Sequence, residues 1–112
     1  MMLIATRLIT FIQNSDKIQV EVRLFAPTKG EDDWICRCEI DWPSARRSSF
    51  AAGLDSMQAI YLAQQKIGID IYMSNHHAKG NIYWQTPDSG YGFPVPKYGR
   101  VFLVGEDKIF DG

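Results

Sequence analysis

The sequence predicts an α+β domain in which a mostly antiparallel β-sheet carries one long helix, about residues 55–75, packed on one face. Three observations predict it. Residues 18–24 and 34–42 alternate apolar and polar side chains with the period of a half-buried strand. Residues 56–74 repeat their apolar positions at helical spacing, behind an acidic residue suited to an N-cap. Strand-like segments run in succession before that helix and short ones follow it, an order that lays the helix across a sheet of consecutive hairpins.

Leu3 to Ile12 is rich in β-branched and aromatic residues, which favours a strand, and Asn14, Ser15 and Asp16 supply turn chemistry for a hairpin. In the next segment, KIQVEVRLFA, Ile18, Val20, Val22 and Leu24 point one way and Gln19, Glu21 and Arg23 the other, giving a strand with one wet face. Pro27 to Asp33 reads as a loop, with Gly30 and the acidic run Glu31, Asp32 and Asp33. DWICRCEIDW resumes the alternation, with Trp34, Cys36, Cys38, Ile40 and Trp42 on one face. Pro43 and Ser44 end that strand, and RRSSFAA at 46–52 is a fourth strand leading to Gly53.

Asp55 then caps the helix, and Gln58 three residues later completes a capping-box arrangement. The helix should end near Ser74 or Asn75. Beyond it, NIYWQ at 81–85 and RVFLV at 100–104 are short strand candidates. With no repeat, low-complexity segment or linker, residues 1–112 are expected to form a single domain, the stretch 96–112 being either an added strand or a loosely ordered tail.

Twelve Lys and Arg against 13 Asp and Glu give a net charge of -1, so no global field draws the chain to polyanions. Adjacent Arg46 and Arg47 on a strand point to opposite faces, and nucleic acid is not an expected partner. The N-terminal MMLIATRLITFIQ lacks the layout of a signal peptide, and no run approaches the roughly 20 apolar residues that span a bilayer. Two cysteines are too few for a disulfide scaffold. A cytoplasmic protein without a membrane role is expected.

Cys36 and Cys38 project from one strand face about 6.6 Å apart. Their neighbours on that face are apolar, so they read as buried core thiols. His76 and His77 would complete a two-cysteine, two-histidine set, but one residue between the cysteines and none between the histidines fits no usual zinc spacing. No metal or cofactor is expected. His76, His77 and Lys79 could supply an acid, a base and a cation for an enzyme. The simpler account is that basic groups at a helix C-terminus complement its dipole.

The helix carries two apolar stripes. Ile60, Ala63, Ile67 and Ile71 form one; Leu62, Ile69 and Met73 form another about 140° away. One sheet face cannot cover both. Either the C-terminal segment folds over the second stripe, with Gly68 marking close packing, or the stripe meets a partner. In GYGFPVPKYG at 90–99 the prolines exclude a phosphate loop, and the segment should pack Phe93 and Val95 down while leaving Tyr91 and Tyr98 partly exposed.

The third-strand DWICRCEIDWP, the helix start GLDSMQAIYLAQQKIG and the segment GYGFPVP together resemble a family of small single-domain bacterial proteins of unknown function, over residues 3 to 96. The resemblance implies a bacterial, cytosolic, single-domain protein and assigns no catalytic residues.

The expected function is therefore a protein-binding module, most concretely an immunity or inhibitor protein that neutralises a toxin by direct contact. Its contact residues would be the acidic loop Glu31, Asp32 and Asp33, facing a basic partner such as a nuclease, the stripe Leu62, Ile69 and Met73, and the aromatics Tyr91 and Tyr98. The alternatives are a metal-dependent or histidine-based enzyme using His76 and His77, and a self-associating domain that dimerises through the second helix stripe.

Overall fold

The computed structural model describes residues 1–110. Its strands are β1 (Leu3–Gln13), β2 (Asp16–Phe25), β3 (Thr28–Lys29), β4 (Trp34–Asp41), β5 (Arg46–Gly53) and β6 (Ile82–Tyr83). Its helices are α1 (Ser56–Tyr72), α2 (Asn75–Ala78), a 3-10 segment Lys97–Phe102 and α3 (Glu106–Ile109). All strand pairs in the six-stranded sheet are antiparallel, and the long helix packs on one face, as the sequence predicts.

The β1–β2 hairpin turns at Asn14 and Ser15, both with positive φ (50° and 71°), between paired Gln13 and Asp16. That is the geometry whose twist matches the flanking strands, and Asn tolerates it better than most residues. β2 pairs with β4 through Val22↔Ile40, Arg23↔Glu39 and Leu24↔Cys38. β3, a two-residue strand inside the stretch read as loop, pairs with the start of β4. β5 lines the other edge of β4 from Trp34↔Gly53 to Asp41↔Arg46, and β6 pairs with β1 at Thr10↔Tyr83 and Phe11↔Ile82.

The period-two faces sort as their chemistry requires. Ile9, Phe11, Val20, Val22, Leu24, Cys36, Cys38 and Ile40 are buried beneath α1, which contributes Ala59, Ala63, Ile67 and Ile71. Each fully buried Ile or Val adds about 1.5–3 kcal/mol. On the opposite face Arg23 binds Glu21, Glu39 and Asp41 at 2.8, 3.0 and 2.8 Å, and Arg46 joins Asp41 at 2.8 Å. These pairs hold the Asp41 carboxyl well below the usual carboxylate range. On the helix side, Asp70 of α1 ties down β5 through Arg47 and Ser49.

Gln58 N–H donates to Asp55 Oδ1 at 2.8 Å, the expected cap. The Gln58 side chain accepts from the N–H of Leu54, one residue before the cap, rather than from that of Asp55. α1 ends at Tyr72 with Met73 as its C-cap, slightly earlier than expected, because Ser74 caps the separate turn α2.

The tail differs from its strand reading. Residues 100–104 do not form a strand: Lys97–Phe102 is a 3-10 segment and Leu103 follows it into the core. The Gly99 N–H closes a turn on Pro96 O at 2.8 Å and the Leu103 N–H another on Arg100 O at 3.3 Å, so the backbone of this segment bonds to itself rather than to a neighbouring strand. No helix among the described residues is long and apolar enough to cross a membrane.

Candidate functional site

The acidic loop acquires neighbours through strand register. Trp34, the first residue of β4, pairs with Lys29 on one side and Gly53 on the other, so Glu31, Asp32 and Asp33 turn at the end of the sheet where β5 hands over to α1. Two strand spacings, about 10 Å, separate the β3 and β5 lines there. A Cβ on Gly53 would stand 2.5 Å from the Ala59 backbone nitrogen, so the glycine lets α1 begin directly against the sheet. The Gly30 N–H closes the acidic turn on Asp33 O at 2.7 Å. Glu31 and Asp32 are exposed, and none of the three carboxylates forms an ion pair among the described residues.

The same end exposes apolar surface. Leu54 is 85% exposed and Met57 79%, with Tyr61 also exposed. Met57 and Tyr61 are four residues apart and adjoin on the helix surface, and Leu54 lies just before the Asp55 cap, three residues ahead of Met57. This stripe was readable from the 54, 57, 61 spacing but lies on neither of the two stripes considered above. Exposed Asp55 adds a fourth carboxylate.

The other sequence-predicted contacts do not join this surface. Ile69 is 5% exposed: a Cβ on Gly99 would lie 2.6 Å from its Cδ1, so the C-terminal segment covers the middle of the second helix stripe. Leu62 is half-buried, while Met73 is exposed at the far end of α1, about 25 Å away at 1.5 Å per residue. Tyr98 is exposed on the tail. Tyr91 is not exposed; it is 4% accessible and packs edge-on to Tyr72 and His77. Burial therefore removes Ile69 and Tyr91 from the contact surface.

Tyr91 belongs to a polar network that the sequence did not announce. Asp107 of α3, 3% exposed, accepts the Tyr72 hydroxyl and the Tyr91 N–H on Oδ2, and the Gly92 N–H on Oδ1. The Tyr91 hydroxyl lies 2.5 Å from His77 Nδ1. Burial, with the Asp107 and Asp88 charges, raises the Tyr91 phenol, and burial with the Asp107 hydrogen bond raises that of Tyr72. Both phenols therefore stay protonated.

The two histidines do not share a site. The His76 ring packs against Trp42 at 4.5 Å and Phe11 at 5.0 Å, and the His77 ring against Tyr72 and Tyr91. Burial lowers both imidazoles, helped at His76 by Lys79 and opposed at His77 by Asp88. Cys36 and Cys38 are buried free thiols, Cys38 pushed up to about 12 chiefly by burial, so neither has the electropositive setting of a nucleophile. Among the described residues no three His, Cys, Asp or Glu side chains converge as a metal site.

A family model described as a domain of unknown function, DUF6968, matches residues 5–95. No curated protein and no solved structure matches the chain. The match spans the sheet and α1; Asp107 lies beyond it.

Proposed function

The chain belongs to the DUF6968 family, and we propose that it is a protein-binding module whose contact surface is the acidic, apolar end of the sheet. The observation that carries this reading is the placement of exposed Leu54, Met57 and Tyr61 at the same end of the sheet as the unpaired carboxylates of Glu31 and Asp32. Apolar anchors supply affinity when a partner buries them, and surrounding carboxylates speed and select a basic partner. The most concrete form is a bacterial cytoplasmic immunity or inhibitor protein that blocks a basic toxin, such as a nuclease, by covering its cationic surface. Met73 and Tyr98 lie outside this contact.

The test is capture with the tagged protein in its host, run in parallel with a variant carrying Glu31→Gln, Asp32→Asn and Met57→Lys. A stoichiometric basic protein retained by the wild type, lost by the variant and released by moderate salt supports the reading. Equal retention by both proteins, or a partnerless wild type, counts against it. A concentration-dependent dimer in light scattering that the same substitutions abolish would assign the surface to self-association instead.

A further inference from the structure

Arg7 is held in an unusual way. It projects from the helix-facing side of β1, where its alternation partners Ile9 and Phe11 are core residues. Its guanidinium lies 3.9 Å from the Trp84 ring centroid and 4.6 Å from that of Phe93. Nη1 donates to the carbonyls of Tyr91 and Gly92, both at 3.0 Å. Gly92, at φ 75°, is required here, since a Cβ would stand 2.4 Å from the Trp84 ring and 2.9 Å from Arg7 Nη1. The aromatic faces and carbonyls fix the guanidinium plane, yet among the described residues no carboxylate forms an ion pair with it, and Nε and Nη2 have no protein acceptor. Asp107 acts on it only through space, and burial lowers its pKa. A half-buried cation ordinarily has a paired anion.

The group lines a cleft of about 170 Å³ between the β1–β2 hairpin and α1. The cleft's apolar walls include Val22, Leu24, Ile67 and Phe93, and Gln64 of α1 offers an uncommitted amide at its edge. A cavity of about 150 Å³ accommodates benzene. We propose that this cleft binds a small organic carboxylate with an apolar body about the size of a benzene ring, its anionic group held by Arg7 and Gln64. The ring packs over Ala5 and against the accessible edges of Leu24 and Phe93, and the carboxylate takes the guanidinium donors that the protein leaves open. The site is separate from the acidic end of the sheet and does not depend on the partner reading.

The test is an NMR titration of the full chain with benzoate and with benzamide, its neutral counterpart. Benzoate should give saturable shifts at the amides of Arg7, Val22, Ile67 and Phe93, with benzamide about tenfold weaker or worse, because a charge-assisted pair is lost. Arg7→Gln should bring the two ligands to equal, weak affinity. Ala5→Phe, which adds a ring at the exposed mouth of the cleft without removing any contact of Arg7, should abolish both. No saturable shift with benzoate, equal binding of benzoate and benzamide to the wild type, or binding unchanged in Ala5→Phe would overturn the proposal.

Discussion

The Tyr72 hydroxyl, in the last turn of α1, donates to the carboxylate of Asp107, in the last helix of the chain. That carboxylate also takes the N–H groups of Tyr91 and Gly92 at 2.8 Å each, so one side chain fastens the tail, the 90–92 segment and the long helix together. Gly90 permits it: a Cβ there would stand 2.4 Å from the Asp107 carboxyl carbon. Asp107→Ala leaves buried N–H donors unpaired and should lower unfolding free energy by about 3 kcal/mol. Tyr72→Phe, which removes one hydroxyl and the Val104 N–H contact at 3.3 Å, should lower it by about 1–2 kcal/mol. Urea unfolding of both single variants and the double variant checks this; strict additivity would deny the coupling.

Gly68 predicts the opposite of its helix propensity. Replacing a mid-helix Gly by Ala ordinarily gains about 1 kcal/mol. Here the new Cβ would sit 2.2 Å from Pro94 O and 3.1 Å from Val95 Cγ1, and the first obstacle is backbone. Gly68→Ala should therefore destabilise by about 1–3 kcal/mol as the 93–95 segment is pushed outward. A thermal unfolding midpoint at or above that of the wild type would show that the segment yields freely.

The same contact shows what the sequence could and could not convey. Period-two alternation makes the faces of β2 and β4 legible, the Asp55–Gln58 spacing locates the start of α1, and Asn14-Ser15 marks the first hairpin. Two apolar helix stripes imply a second covering element, and Gly68 marks where it approaches. The shape of that element was not legible, because Val101, Phe102 and Leu103 have strand composition while the neighbouring prolines and Gly99 impose turns. Asp107 carries no local pattern at all; its partners lie 15, 16 and 35 residues away. Of the candidate surface, the acidic run was legible by composition, but its place at the same end of the sheet as Leu54 and Met57 depends on the β4–β5 register.

The histidines set a pH dependence with a definite sign. Burial holds the folded-state pKa of both His76 and His77 below the ordinary imidazole value. Between the folded value and the unfolded value of about 6.5, the unfolded chain binds protons that the native chain does not. Their contribution is fully present above the unfolded value and is lost as pH falls toward the folded one, so acidification through about 6.5 should destabilise the protein. With the imidazole neutral, the Tyr91 hydroxyl can donate to His77 Nδ1. Urea midpoints measured across this range should rise with pH in the wild type and flatten in His76→Phe combined with His77→Gln. An equally steep slope in the double variant would place the titration elsewhere.

The two thiols should report opening of the sheet rather than surface chemistry. Cys36 Sγ lies 3.2 Å from the Phe25 carbonyl and Cys38 sits beneath α1, both buried. Burial raises both thiols, and at Cys38 the Asp70 charge adds to it, bringing that thiol to about 12. The thiolate is the reactive form, so near neutral pH the native protein offers a thiol reagent almost none of it, and the reagent must wait for β4 to separate from α1. The native protein should react slowly at pH 8, with both thiols modified together in a single phase, and Asp107→Ala should accelerate that phase in proportion to its loss of stability. If one thiol reacts at the rate of a free cysteine in the folded protein, β4 is open at that position and the core assignment of the Cys-x-Cys pair fails.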